Sequence, residues 1–194
     1  IAMGGAQYVH TFDKCLFMPS DLTAGLEYNR DRLKDNMWGY DRHTDQTVNI
    51  YSAFLQNEWK NERWSILVGG RLDKHNMVDN IIFSPRANLR FNPTQNINLR
   101  LSYSSGFRAP QAFDEDMHIE NVGGTVAMIE RTKNLKEEKS QSFSASADIY
   151  HRFGAFQTNF LIEGFYTKLT DVFVLGEPYN RGDGVLVKLR SNGP

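Results

Sequence analysis

The stretch Ile97-Asn98-Leu99-Arg100-Leu101-Ser102-Tyr103-Ser104 sets an apolar or aromatic side chain at every odd position and a polar one at every even position. A period of two marks a β-strand whose two faces meet different surroundings. The pattern continues on both sides of it. Upstream, Ala87, Leu89 and Phe91 alternate with Arg86, Asn88 and Arg90, and Trp64, Ile66, Val68 and Leu72 alternate with Ser65, Arg71 and Asp73. Leu22, Ala24, Leu26 and Tyr28 form a further set, and Tyr51, Ala53, Leu55 and Trp59 a less clean one. Downstream, Phe143, Ala145, Ala147 and Ile149 repeat the pattern, as do Phe156, Phe160 and Ile162 against Gln157, Asn159 and Glu163. The reading predicts about nine strands, near 5–12, 21–32, 46–60, 63–75, 82–92, 96–107, 140–152, 155–170 and 184–190.

Strand length and loop length decide between architectures. Several of these strands run to about 11–15 residues, whereas soluble strands average ~5–6 and membrane-spanning ones need ~9–11. Tight turns at 60–62, 92–95 and 152–154 alternate with longer polar connections at 34–45, 75–81, 108–139 and 171–183. Short turns at one end and long loops at the other are the habit of outer-membrane barrels. The face holding Arg86, Asn88, Arg90, Asn98 and Arg100 would be costly to bury dry, but a barrel lumen can supply water or a plug. The fold expected is all-β: an antiparallel up-and-down meander cut from a large transmembrane β-barrel, occupying 1–194 as one section of wall. A soluble all-β module that captures a ligand with its longest loop is the alternative.

Composition narrows the function. The 194 residues carry a net charge of −1, so nothing marks a nucleic-acid partner. Mean hydropathy is −0.51. No apolar run approaches the ~18 residues of a membrane helix, which leaves a barrel open because its strands average out as polar. The single cysteine, Cys15, has no internal disulfide partner. No signal peptide is seen at the start, and the expectation is that one was removed or lies upstream.

Three motifs carry a family resemblance. The segment 84–110, ending in Gly106-Phe107-Arg108-Ala109-Pro110, resembles a strand pair of TonB-dependent receptors that ends in Gly-Phe-Arg-Ala-Pro at an extracellular loop. Asn134-Leu135-Lys136-Glu137-Glu138-Lys139-Ser140 resembles that family's lead into the next strand, with Glu137 where a proline is usual. Phe165-Tyr166-Thr167-Lys168-Leu169-Thr170-Asp171-Val172 resembles a recurring strand end. The resemblance implies a barrel of ~22 strands with a plugged lumen. It also implies a place in the outer membrane of a Gram-negative bacterium and import of a scarce nutrient, such as a siderophore–iron complex or a vitamin, with energy transmitted by TonB through the plug. No plug or TonB-binding box is evident here, so the chain reads as a section from mid-barrel. Isolated, it would expose strand edges able to self-associate.

Candidate substrate contacts lie on the long loops: Trp38, Tyr40, Arg42 and His43 on one, and Arg108, Asp114, Asp116 and His118 on another. Arg108 reads first as a residue that ends a strand, because Pro110 cannot continue the ladder. The spacing of Asp114, Asp116 and His118 matches no defined metal site. No nucleophile elbow appears, and no enzyme, metal or cofactor is expected. Gly123-Gly124 and Arg181-Gly182-Asp183-Gly184 read as turns.

Overall fold

The computed structural model describes residues 1–38, 42–111, 120–122, 125–132, 134–182 and 185–193. In chain order the strands are β1 (Ala2–Cys15), β2 (Met18–Met37), β3 (Arg42–Lys60), β4 (Trp64–His75), β5 (Ile82–Thr94), β6 (Ile97–Arg108), β7 (Glu120–Val122), β8 (Thr125–Arg131), β9 (Glu138–Phe153), β10 (Phe156–Thr170), β11 (Phe173–Leu175), β12 (Tyr179–Asn180) and β13 (Leu186–Asn192). Eight of them form an antiparallel meander in the order β1-β2-β3-β4-β5-β6-β9-β10. No helix among the described residues is long and apolar enough to cross a membrane.

Register converts alternation into two faces. Trp64 lies opposite Phe91, Ile66 opposite Leu89 and Val68 opposite Ala87. Leu89 then meets Leu101, which meets Ala145, which meets Gly164. On the other side Leu72 meets Ala53, which meets Leu26, which meets Ala6. One face is therefore apolar from β1 to β10, and its large side chains stand exposed, among them Leu26, Leu55, Val68, Leu101 and Phe160. An exposed apolar face this continuous suits lipid rather than water.

Aromatic rings bound that band. At the short-turn end Phe17 stacks on Trp59 with centroids 5.6 Å apart, and Trp64 stacks on Phe91 at 4.1 Å. At the long-loop end Tyr28 packs on Tyr51 at 4.9 Å, and Tyr103 on Phe143 at 4.8 Å. Tyr51 and Trp59 share a face of β3, about 26 Å apart along the strand at ~3.3 Å per residue. Tilted as barrel strands are, that separation fits the ~25 Å apolar band of an outer-membrane wall. Above Tyr28 the same face turns to Arg30, Arg32 and Lys34, all exposed.

The opposite face is polar and cross-linked on β1–β4. Arg71 donates to Glu27 at 2.6 Å, Asp73 at 2.8 Å and Ser52 at 2.8 Å, while Ser52 donates to Asp73 at 2.6 Å. Lys60 pairs with Asp21 one pleat from the short-turn end. Gly25 lies opposite Phe54 on this face, and a Cβ there would run into the Phe54 ring. The glycine is needed because the ring lies flat across the ladder.

Pro85 sits within β5, yet it has no N–H to give. The β5–β6 ladder begins at Arg86 opposite Ser104, so Pro85 lies just beyond its end. From there to the rim β5 pairs only with β4, and β6 pairs only with β9 as far as Arg108. A notch opens between them. Val78, Ile82 and Ala109 fill its mouth with Phe107 packed alongside.

Two sequence readings need correction. The segment 34–45 is not a long loop, because β2 and β3 stay paired up to Met37 opposite Arg42. Above the lipid band both faces meet water, so both carry polar residues and the alternation vanishes. Arg32 holds Asp45 there at 2.7 Å, and that hydrogen bond keeps the Asp45 carboxyl below its usual range. The strand expected near 184–190 exists as β13, but it lies outside the wall. It joins a second sheet ordered β11-β13-β8-β7, parallel to β8, with β12 also paired to it. Among the described residues the wall thus has eight strands, not nine.

Charge on the lipid-facing side tests this assignment. Val68→Arg places a guanidinium mid-band and is expected to destabilise the assembled wall by about 2–4 kcal/mol, whereas Leu67→Arg on the inner face costs far less. Denaturant unfolding in lipid vesicles measures both. Equal losses would sink the assignment of faces.

Candidate functional site at the rim

The long-loop end gathers the chemistry. Trp38 caps the β2–β3 hairpin and is 79% exposed. His43, on the returning strand, meets its ring edge-on with centroids 5.2 Å apart, and His43 Nδ1 lies 3.1 Å from Asn36 Oδ1. The hairpin therefore lifts an aromatic face and an imidazole together above the membrane. Arg42 opens β3 opposite Met37. Tyr40 lies outside the described residues, as do Asp114, Asp116 and His118. Among the described residues no group of three or more His, Cys, Asp or Glu side chains is placed to hold a metal.

Arg108 stands apart from that hairpin. It ends β6 opposite Glu138, and its guanidinium lies 5.7 Å from the centre of the Phe173 ring. Glu138 accepts a hydrogen bond from the Phe173 amide at 3.0 Å. Arg108 and Glu138, both within the resemblance motifs, thus seat β11 against the wall. Strands β4 and β5 separate Arg108 from the β3 hairpin, which is three strand spacings or about 14 Å.

The two longest connections do not remain irregular. The segment after β6 supplies β7 and β8, and the segment after β10 supplies β11, β12 and β13. Val187, Met128 and Ile129 are buried in this small sheet. Asn192 clasps the two connections: its Oδ1 accepts from the Lys136 amide at 2.8 Å, and its Nδ2 donates to the carbonyls of Lys136 at 3.1 Å and Asp171 at 2.6 Å. Arg131 ties the sheet back to the wall, donating to Gln46 on β3 at 3.2 Å and to the Pro110 carbonyl at 2.9 Å. The sequence reading missed Arg131 and Asn192. The only hints were short apolar runs at Met128-Ile129 and Leu186-Val187, which are too brief to show a period.

On the inner face a polar concavity of about 500 Å³ is lined by Thr23, Glu27, Gln56, Arg71, Ser84 and Arg86 among others. Arginine and hydroxyl groups dominate the inner surfaces of β5, β6 and β9, in contrast to the ion-paired surfaces of β1–β4. Together the features describe a wall with an ordered, polar, aromatic-bearing rim and a hydrophilic interior. They suit capture and passage of a polar solute better than covalent chemistry.

Known proteins share this wall. A family model described as TonB dependent receptor-like, beta-barrel, matches residues 4–188. No protein with a curated description matches in sequence. Among solved structures, the siderophore receptor PirA of Pseudomonas aeruginosa superposes with a TM-score of 0.80 at 15% identity, over 98% of this chain and 36% of its own. A ferric enterobactin receptor of Pseudomonas aeruginosa, in complex with enterobactin, gives 0.76 at 17% identity, over 99% of this chain and 31% of its own. The FrpB iron transporter of Neisseria meningitidis gives 0.61 at 15% identity, over 98% and 31%. The chain spans about a third of the length of these structures.

The clasp makes a local prediction. Asn192→Ala removes three hydrogen bonds at once and is expected to speed amide exchange at Lys136 and protease cutting within 172–193. The wall should keep its heat-modifiable mobility on gels. Unchanged exchange at Lys136 would mean that the small sheet holds without the clasp.

Proposed function

The chain belongs to the TonB-dependent receptor β-barrel family, and from that membership we propose that it is a section of barrel wall, 1–194, from a longer outer-membrane receptor that imports a scarce nutrient chelate. The observation that carries this reading is the predominantly apolar face that runs from β1 to β10, edged by rings at both ends and backed by a polar interior. A wall of that form separates lipid from an aqueous path. Eight strands are too few to close the ~22-stranded barrel of such transporters, so the remainder of the wall and a lumen plug belong to the parent protein.

The substrate class we favour is a metal chelate such as a siderophore–iron complex. Two observations support it: similarity in fold to receptors named for siderophores and enterobactin, and the exposed Trp38–His43 pair, which offers a flat aromatic face and a polar edge to a planar ligand. Strands β2 and β3 hold that pair clear of the bilayer, where a dilute solute is met first. Import against a gradient needs energy, and a plug pulled by TonB supplies it in this reading. The wall performs no bond-making step, and its residues bind, orient and conduct.

Growth of Gram-negative cells on a single ferric chelate as iron source tests the proposal. Cells carrying the full-length receptor are expected to grow, and cells that also lack TonB are not. In purified receptor, Trp38→Ala should weaken chelate binding on the order of tenfold, the usual effect of losing one aromatic anchor. TonB-independent growth, or a protein that stays monomeric in water without detergent, would overturn the transporter reading and restore the soluble binding module.

A further inference from the structure

The inner face is electrically lopsided. On β1–β4 its cations are matched: Lys60 with Asp21, and Arg71 with Glu27 and Asp73. On β5 and β6 they are not. Arg86, Arg90 and Arg100 make no ion pair with any described carboxylate. Arg90 and Arg100 lie directly opposite each other across the β5–β6 ladder. Like charges so placed repel, which destabilises a bare sheet. Arg90 Nε is also shut off from solvent without an acceptor.

The surroundings do not relieve this. Asp148, diagonal to Arg100, accepts the Tyr150 hydroxyl on Oδ2 at 3.1 Å, and its buried Oδ1 has no hydrogen-bond partner, so it does not bond Arg100. Glu163 lies in the same row as Arg100 but two strands along, beyond Ser146. The neighbours on this face are short hydroxyls: Ser102 and Ser144 bond each other at 2.6 Å, and Ser142 bonds Thr167 at 3.0 Å. Short side chains leave room for an approaching surface, and hydroxyls can both donate to it and accept from it.

Depth decides what approaches. Arg90 and Arg100 lie one residue from Phe91 and Leu99, level with the Trp64–Phe91 stack at the short-turn end. Arg100 is eight residues below Arg108 on the same strand, about 26 Å from the rim. A solute held at the rim is too far away to pair with it, whereas a polypeptide that fills the lumen lies against it at rest.

Resting on the receptor reading above, we propose that Arg90 and Arg100, with Arg86 above them, form a cationic seat for carboxylates on the protein segment that occupies the lumen. The seat and the ion-paired half of the wall then act differently. The paired half presents no unmatched cation, so it gives the occupant's carboxylates no comparable hold. The arginine half holds it by charge, so displacing the occupant toward the short-turn end must first break these pairs.

The test uses the full-length receptor in detergent, with heat-modifiable mobility as the check on wall assembly and protease cutting of the lumen segment as the readout. The double variant Arg90→Gln with Arg100→Gln is expected to raise cutting roughly tenfold, the scale of one lost charge-assisted bond. Arg100→Glu should raise it further, because it sets like charges together, and Arg100→Lys should keep most of the protection. Raising salt from about 0.1 M to about 1 M should weaken protection in the wild type and leave the double variant unmoved. Equal cutting in all variants with no salt effect overturns the seat. So does a change confined to the anion preference of ion conductance, which would assign these arginines to small ions. A wild-type lumen that conducts freely and protects no segment is a separate result, and it overturns the receptor reading itself.

Discussion

Lipid offers no hydrogen bonds, so each backbone N–H and C=O within it must find a partner in the chain itself. Every other feature of this wall follows from that demand. Strands must be long enough to cross and must be paired along the whole crossing. With the backbone consumed in ladders, only side chains distinguish inside from outside, and period-two alternation is the one way a strand can sort them. Rings gather where the ladder passes through the interface, because they tolerate a body in lipid and an edge in water. The register from β1 to β10 keeps all of this in phase, since a slip of one residue would turn Leu55 and Leu89 inward and Arg71 and Arg90 into lipid.

That reasoning also explains what the sequence could tell. Within the band two environments are forced on alternate residues, so strands such as β4 and β6 are legible from a few letters. Outside the band the environments become the same on both faces. The upper reaches of β2 and β3 are strand all the same, held by pairs such as Arg32 with Asp45, but their letters look like loop. The small rim sheet is harder still. Its strands are short, its β8–β13 pairing is parallel, and its partners come from connections nearly sixty residues apart, as Lys136 and Asn192 show. No local period records such a pairing.

The candidate site was legible to a similar degree. Trp38 and His43 stood out as an aromatic and an imidazole on a long connection, and the structure brings them into contact. Arg108 was read first as a strand terminator, and the structure places it at the end of β6, opposite Glu138 and beside the Phe173 ring. What the sequence could not show was adjacency across strands. Arg90 and Arg100 are ten residues apart and look like ordinary polar positions of two strands, and only the register reveals that they face each other. Arg131 and Asn192 likewise gain their meaning from partners that no spacing rule connects.

The notch above Pro85 has a mechanical side. Below it, parting β5 from β6 means breaking a row of backbone bonds. Above it no β5–β6 backbone bond stands among the described residues, and side chains alone resist: the contacts of Val78, Ile82, Ala109 and Phe107, and Arg131 bridging Gln46 and the Pro110 carbonyl. The upper wall is therefore two stiff panels, β1–β5 and β6–β10, joined along their lower edges like pages at a spine. Compliance is concentrated on one vertical line, and the chain leaves β6 toward the rim sheet right beside that line. A mouth built this way can widen by flexing at one place while the membrane-level circumference keeps its length.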